Sequence, residues 1–226
     1  MARGVRAGDA DTGAGEGLSK APGSTNMATD IAAILRNLES CYDFTGKSVI
    51  HVGAGGGQLV GYASRTRDVL GVDPDAIAVE RLKAAIREHG LEERFRVLQA
   101  DVQSVSARAD VVFFEFCLHE IVDPLTALRH AQTLAPEVLV VDPASDSAWA
   151  WHLCETEKVL RGWAAAERFP RILDRTFTGA QRFHDRAELL AKVEMLGECV
   201  VRRVRDFEGQ QDFSIDMPYR VALLAR

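Results

Sequence analysis

Apolar residues between positions 28 and 143 alternate between two spacings. In ATDIAAILRNLES (28–40), Ile31, Ile34, Leu35 and Leu38 recur at helical intervals behind Thr29 or Asp30, either of which suits a helix cap. SVIHV (48–52) is a short apolar run that stops in the cluster Gly53-Ala54-Gly55-Gly56-Gly57, the pattern of a buried strand before a tight turn. A helix is expected through Leu59, Val60 and Ala63. DVLGVD (68–73) predicts a second strand. After it, Pro74 suits a first helical turn, Ile77, Leu82 and Ile86 share a face, and Gly90 marks the stop. RFRVLQAD (94–101), ADVVFFEF (109–116) and EVLVVDP (137–143) predict three more strands, the middle one apolar throughout and so buried on both faces. PLTALRHAQTLA (124–135) predicts the helix between the last two. Strands separated by helices in this rhythm imply right-handed crossovers and a parallel sheet covered on both sides.

The rhythm breaks after Pro143. Residues 144–184 hold Trp149, Trp151 and Trp163 with weak periodicity. HDRAELLAKVEMLG (184–197) predicts another amphipathic helix. CVVRRVRDF (199–207) and PYRVALLAR (218–226) predict a closing antiparallel pair of strands. Residues 1–26 are rich in Gly, Ala, Asp and Ser and lack the apolar core of a signal peptide. They are expected to form a disordered leader before one domain, 27–226, with Met27 as an alternative start.

Composition narrows the partners. The net charge of -6 gives no broad basic surface for a phosphate backbone, so no nucleic-acid partner is expected. No apolar run approaches the ~18 residues of a membrane span, and no membrane partner is expected. Cys41, Cys117, Cys154 and Cys199 form no C-x-x-C pair, which argues against a disulfide framework and suits a reducing cytoplasm. Cys117-x-His119 and His152-x-Cys154 could offer a tetrahedral zinc set. Trp151-His152-Leu153 reads as helix, however, where residues two apart diverge. No metal is expected.

In a parallel sheet, ligands bind beyond the carboxyl ends of the strands. There Gly53, Gly55 and Gly57 would let a ligand approach bare backbone, with the next helix N-terminus behind them. Asp73 ends the second strand, and Asp101 closes the third. A nicotinamide dinucleotide site is the rival reading, but G-x-G-G-G is not the G-x-G-x-x-G it uses.

HVGAGGG, VLGVD, VLQADV and ADVVFFEFCLHEIVDP, in that order, make residues 45–145 resemble the class I S-adenosylmethionine-dependent methyltransferases. The resemblance implies an α/β fold with a Rossmann-like, doubly wound seven-stranded sheet, mostly parallel with a reversed last strand. It also implies a helical cover for the acceptor, inserted after the fifth strand at 144–184, and S-adenosyl-L-methionine as cofactor. His51, Gly53, Ala54, Gly55 and Gly57 would surround its methionine part. Asp73 and Pro74 would meet the ribose, Asp101 and Val102 the adenine, and Glu115 and Phe116 would close the site from the fourth strand.

One position departs from the family. His51 stands where an acid usually precedes the glycines. A neutral imidazole can accept from an ammonium group but brings no negative charge, and Glu115 is the candidate to compensate. His119 is expected to do acid–base work or position the acceptor, with Glu120 orienting a neighbour; Asp123 before Pro124 reads as a helix cap. Trp149, Trp151, His152, Trp163 and His184 are expected to line the acceptor pocket. The expectation is a cytoplasmic enzyme, with a homodimer admitted, that methylates an O or N atom of a small, partly apolar molecule. A protein or nucleic-acid methyltransferase is the alternative within the enzymes. A non-catalytic cofactor-binding or scaffold protein is the alternative outside them.

Overall fold

A computed structural model of the chain describes residues 29–193 and 196–225, so the expected leader and the alternative start at Met27 lie outside the described residues. The strands are β1 (Ser48–Val52), β2 (Asp68–Asp73), β3 (Phe95–Gln99), β4 (Val111–Glu115), β5 (Glu137–Pro143), β6 (Arg171–Phe177), β7 (Ala180–Asp185), β8 (Gln211–Asp216) and β9 (Tyr219–Ala225). The helices are α1 (Ile31–Cys41), α2 (Ala76–Glu88), α3 (Pro124–Leu134), α4 (Ala148–His152), α5 (Thr156–Ala166), α6 (Arg186–Val193) and α7 (Glu198–Arg203). Seven strands form one sheet in the order β3-β2-β1-β4-β5-β9-β6, and β7 pairs with β8 separately. Strands β1 to β5 run parallel, while β9 enters between β5 and β6 antiparallel to both. This is the expected doubly wound sheet with its last strand reversed.

Alternation along the central strands divides the core in two. Val49, Val111, Phe113, Leu139 and Val141 face the side packed by Leu38 of α1 and by Leu82 and Ile86 of α2. Ile50, Val112, Phe114, Val138 and Val140 face Leu128 and Ala131 of α3 and Trp163 of α5. β4 is buried along its whole length, as a central parallel strand must be. Carboxylates start the helices: Asp30 accepts from Ala33 N (2.8 Å), Asp75 from Ile77 N (2.6 Å) and Asp123 from Thr126 N (3.0 Å).

The second half departs from expectation in several places. The turn after β1 leads into a 3-10 helix, Val60–Arg65, not an α-helix. The cover is helical only through α4 and α5; the span 144–184 also supplies β6 and most of β7. Residues 199–207, expected as a strand, are α7 followed by a 3-10 turn. Val200 and Val204 are the buried members there, four apart as on a helix face. The partners of the closing strand β9 are therefore β5 and β6, and β8 pairs with β7 instead.

The expectation of no disulfide framework fails at one pair of cysteines. Cys154, after α4, and Cys199, in α7, are joined by a disulfide across 45 residues of sequence. Cys41 and Cys117 are free. Widely separated cysteines carry no pairing signal until tertiary structure brings them to a Cα–Cα distance of 6.5 Å, inside bonding range. Cys199→Ser is expected to lower the unfolding free energy by about 2–4 kcal/mol in denaturant titration. Added reductant should then destabilise the unsubstituted protein but not the variant.

Candidate active site

The site is built where β1 and β4 end side by side. Gly53 leaves β1 with φ +70°, and a Cβ there would lie 2.3 Å from Cys117 Cβ. Only glycine fits, on both grounds. Its N–H donates to Val72 O (3.0 Å), while the Cys117 thiol donates to Val52 O (3.3 Å), so the turn is tied to strands on both sides. At Gly55 a Cβ would come 2.8 Å from Asp73 Oδ2, which puts bare turn backbone against the acid ending β2. Asp73 is buried and accepts from Asp75 N at 2.9 Å. Phe116, just beyond β4, holds φ +44°, a strained conformation for a residue with a side chain.

Two cavities open from this point and share Gly53 and Phe116. The first, about 710 Å³, is lined by Asp73, Pro74, Asp101, Val102, Glu120 and Ile121 among others. The second, about 400 Å³, has Gly55, Glu115, His119, Trp149, Glu155 and Lys192 in its wall. Asp101 is exposed at the rim and accepts from Gln103 N (2.8 Å). His51 lies below the turn, wholly buried, with Nε2 2.7 Å from Glu115 Oε2.

His119 is fixed by both oxygens of Asp142, a residue of β5. Its N–H donates to Oδ2 (3.0 Å), and Nδ1 lies 2.8 Å from Oδ1. Nε2 faces Glu120 (3.4 Å) and Glu155 (3.7 Å). Burial pushes the imidazole pKa down, but the Asp142 and Glu120 carboxylates outweigh it and raise the value to about 10. Burial pushes Asp142 upward too, against the pull of His119. The proton of this pair resides on His119, which three carboxylates face. Glu120 is held well below the usual carboxylate range by His119. Burial and the Glu120 charge raise Glu155 to about 7. Lys158 Nζ sits 2.9 Å from Glu120 and 3.6 Å from Glu155. His119, Glu120 and Glu155 come within 4.8 Å of one another, a spacing open to a cation, and Lys158 already supplies that charge.

Of the five residues expected around an acceptor, Trp149 lines the second cavity. Trp163 is buried on the opposite face of the sheet, donating to Pro143 O (2.7 Å). Trp151 is exposed beneath the Arg203 guanidinium, His152 packs on Phe207, and His184 is exposed beside Asp212. Those four stand apart from the cavity. The zinc set is not gathered either: Cys154 is bonded to Cys199, and Cys117 lies under the glycine turn. Sequence reasoning missed Asp142, Glu155 and Lys192. Asp142 alone had a visible signal, an acid ending a strand beside the fourth.

A doubly wound sheet with a glycine turn, acids on the next two strands and a reversed last strand defines a nucleotide-cofactor-binding α/β domain. The methyltransferase-domain family matches residues 25–191, and the chain belongs to it. It is a methyltransferase that depends on S-adenosylmethionine. No curated protein matches the chain by sequence. Solved structures share its fold at low identity. The YcgJ protein of Bacillus subtilis is 15% identical with a TM-score of 0.60, over 87% of this chain and 97% of that one. Magnesium protoporphyrin IX methyltransferase of Synechocystis PCC 6803, solved with bound S-adenosylhomocysteine, is 13% identical with a TM-score of 0.53, over 87% and 81%. The 4+2 cyclase SpnF is 18% identical with a TM-score of 0.61, over 86% and 80%.

Two outcomes follow from the geometry. Gly55→Ala is expected to displace Asp73 and weaken S-adenosylhomocysteine binding in calorimetry by roughly tenfold or more. For His119, the folded pKa is raised, so its pairing stabilises fully below the unfolded value of 6.5 and is lost as pH rises through about 10. The stability gap between the unsubstituted protein and Asp142→Asn should therefore narrow from pH 7 to pH 10 in thermal unfolding.

Proposed function

We propose that this chain transfers the methyl group of S-adenosylmethionine to an oxygen or nitrogen atom of a small, partly apolar molecule. The reading rests on the two cavities that meet at Gly53 and Phe116. Adenosine fits the first, with Asp73 accepting from the ribose hydroxyls and Asp101 and Val102 at the adenine edge. Ala54 and the bare backbone of Gly53, Gly55 and Gly57 leave room for the methionine part, with Glu115 below. The cofactor supplies an electrophilic methyl carbon on a sulfonium.

The chain's own side chains would then orient the acceptor and take its proton. His119, charged at neutral pH, serves as a hydrogen-bond donor rather than a base, and so positions the acceptor atom. Glu155 is the better base, because its raised carboxyl titrates near neutrality beside the same cavity. Trp149, Leu153 and Met217 exclude water. Lys192, whose pKa is lowered by desolvation, contacts Gln181 Oε1 at 2.7 Å and offers its remaining protons to a polar end of the acceptor. Walls from α1, α4, β7 and α6 favour a small molecule over a macromolecule. No described helix is long and apolar enough to cross a membrane. A cytoplasmic setting belongs to the same reading and exposes the Cys154–Cys199 bond to a reducing thiol pool.

Radiolabelled methyl transfer from S-adenosylmethionine to fractionated small molecules tests the reading. The rate should rise with pH through about 7 as Glu155 ionises. Glu155→Gln should lower kcat by roughly a hundredfold with S-adenosylhomocysteine affinity nearly unchanged. Absence of binding to either form of the cofactor in calorimetry would remove the proposal.

A further inference from the structure

A chain of buried polar groups runs under the glycine turn, and folding alone does not explain it. The His51 ring stacks on Phe113 with centroids 4.6 Å apart and has no exposed surface. Its Nδ1 lies 3.1 Å from the hydroxyl of Tyr62, also wholly buried. Burial keeps Tyr62 a neutral phenol, far from ionising. Nε2 faces the Glu115 carboxylate, so the ring proton is assigned to that nitrogen and Nδ1 accepts from the phenol. Nε2 faces Glu115 Oε2 at 2.7 Å, off the line of a good hydrogen bond, and neither atom has another partner among the described residues.

Glu115 thus ends a buried polar row, Tyr62, His51 and Glu115, at the wall of the second cavity. Its side chain is 8% exposed, and among the described residues no lysine or arginine lies within ion-pairing distance of it. A carboxylate so buried, with a single imidazole before it and no lysine or arginine in reach, has acceptor capacity left over for a cationic donor that enters the cavity. The cavity beside it also holds Gly53 and Gly55.

We propose that Tyr62 and His51 hold Glu115 as the receptor for the ammonium group of the cofactor's amino-acid end. The negative charge at that subsite then comes from the end of β4, and the β1 residue acts as its positioning group. Glu115 touches the cofactor; His51 and Tyr62 act through it. This rests on the cofactor placement given under Proposed function.

The test compares two ligands by calorimetry on the full chain: S-adenosylhomocysteine, and 5′-methylthioadenosine, which keeps the adenosine and sulfur but lacks the amino and carboxyl groups. Glu115→Gln should weaken the first by roughly 10- to 100-fold and the second by less than about threefold. Tyr62→Phe, which removes only the hydroxyl, should weaken the first by roughly three- to tenfold and spare the second. Introducing His51→Glu into the Glu115→Gln protein should restore part of the lost selectivity. Equal losses for both ligands, or no loss for the first in either single variant, would overturn the proposal. If the unsubstituted protein binds neither ligand, the cofactor placement itself fails, a result distinct from either.

Discussion

The close approach of the β1 and β4 ends is the constraint on which the rest of the site depends. Gly53 turns over Cys117 with no room for a Cβ, and Phe116 bends away at positive φ. Between these strands, residues 51 and 113 pair in register, which stacks an imidazole on a phenyl ring. The convergence brings Glu115 up beside the turn and makes Gly53 and Phe116 common to both cavities. A side chain at residue 53 would force the strands apart and separate what a cofactor must bridge.

Around that seam, polar groups removed from water are matched by partners from distant elements. Asp142 on β5 holds His119 beyond β4, and Lys158 on α5 meets Glu120 and Glu155. A buried pair such as His119 and Asp142 adds little net stability, because desolvation offsets attraction, but it restricts each group to one orientation. The consequence is chemical. A histidine facing three carboxylates keeps its proton, whereas a glutamate facing another carboxylate gives its proton up only near neutrality. In the proposed mechanism the proton-accepting role therefore passes from the residue beside the strand to one on the cover.

Much of the first half was legible in sequence, because central parallel strands are apolar on both faces and their helices carry one apolar stripe. The turn and the acid beside it were legible for a related reason: Gly53 and Gly55 stand where the backbone leaves no room for a Cβ, and Asp73 ends the neighbouring strand. The second half was not. β6 is an edge strand, RILDRTF, exposed over most of its length, so no apolar run announces it. The segment 199–207 has valines compatible with either period, and only packing of Val200 and Val204 selects the helix. Cover residues were assigned from aromatic content, but Trp163 went to the opposite face because its indole N–H found the Pro143 carbonyl.

By itself the sequence determined the parallel α/β class, the glycine turn and the acids that follow it, while the reversal of the last strand came from the family resemblance. The first three depend on local spacing and on glycine geometry, both written along the chain. Tertiary structure decided what spacing cannot encode: the Cys154–Cys199 bond, the Asp142 grip on His119, Glu155 and Lys192 at one cavity, and the burial of His51 against Glu115. Each joins residues more than 20 positions apart, and the charge of an ionisable group depends on what folding places beside it.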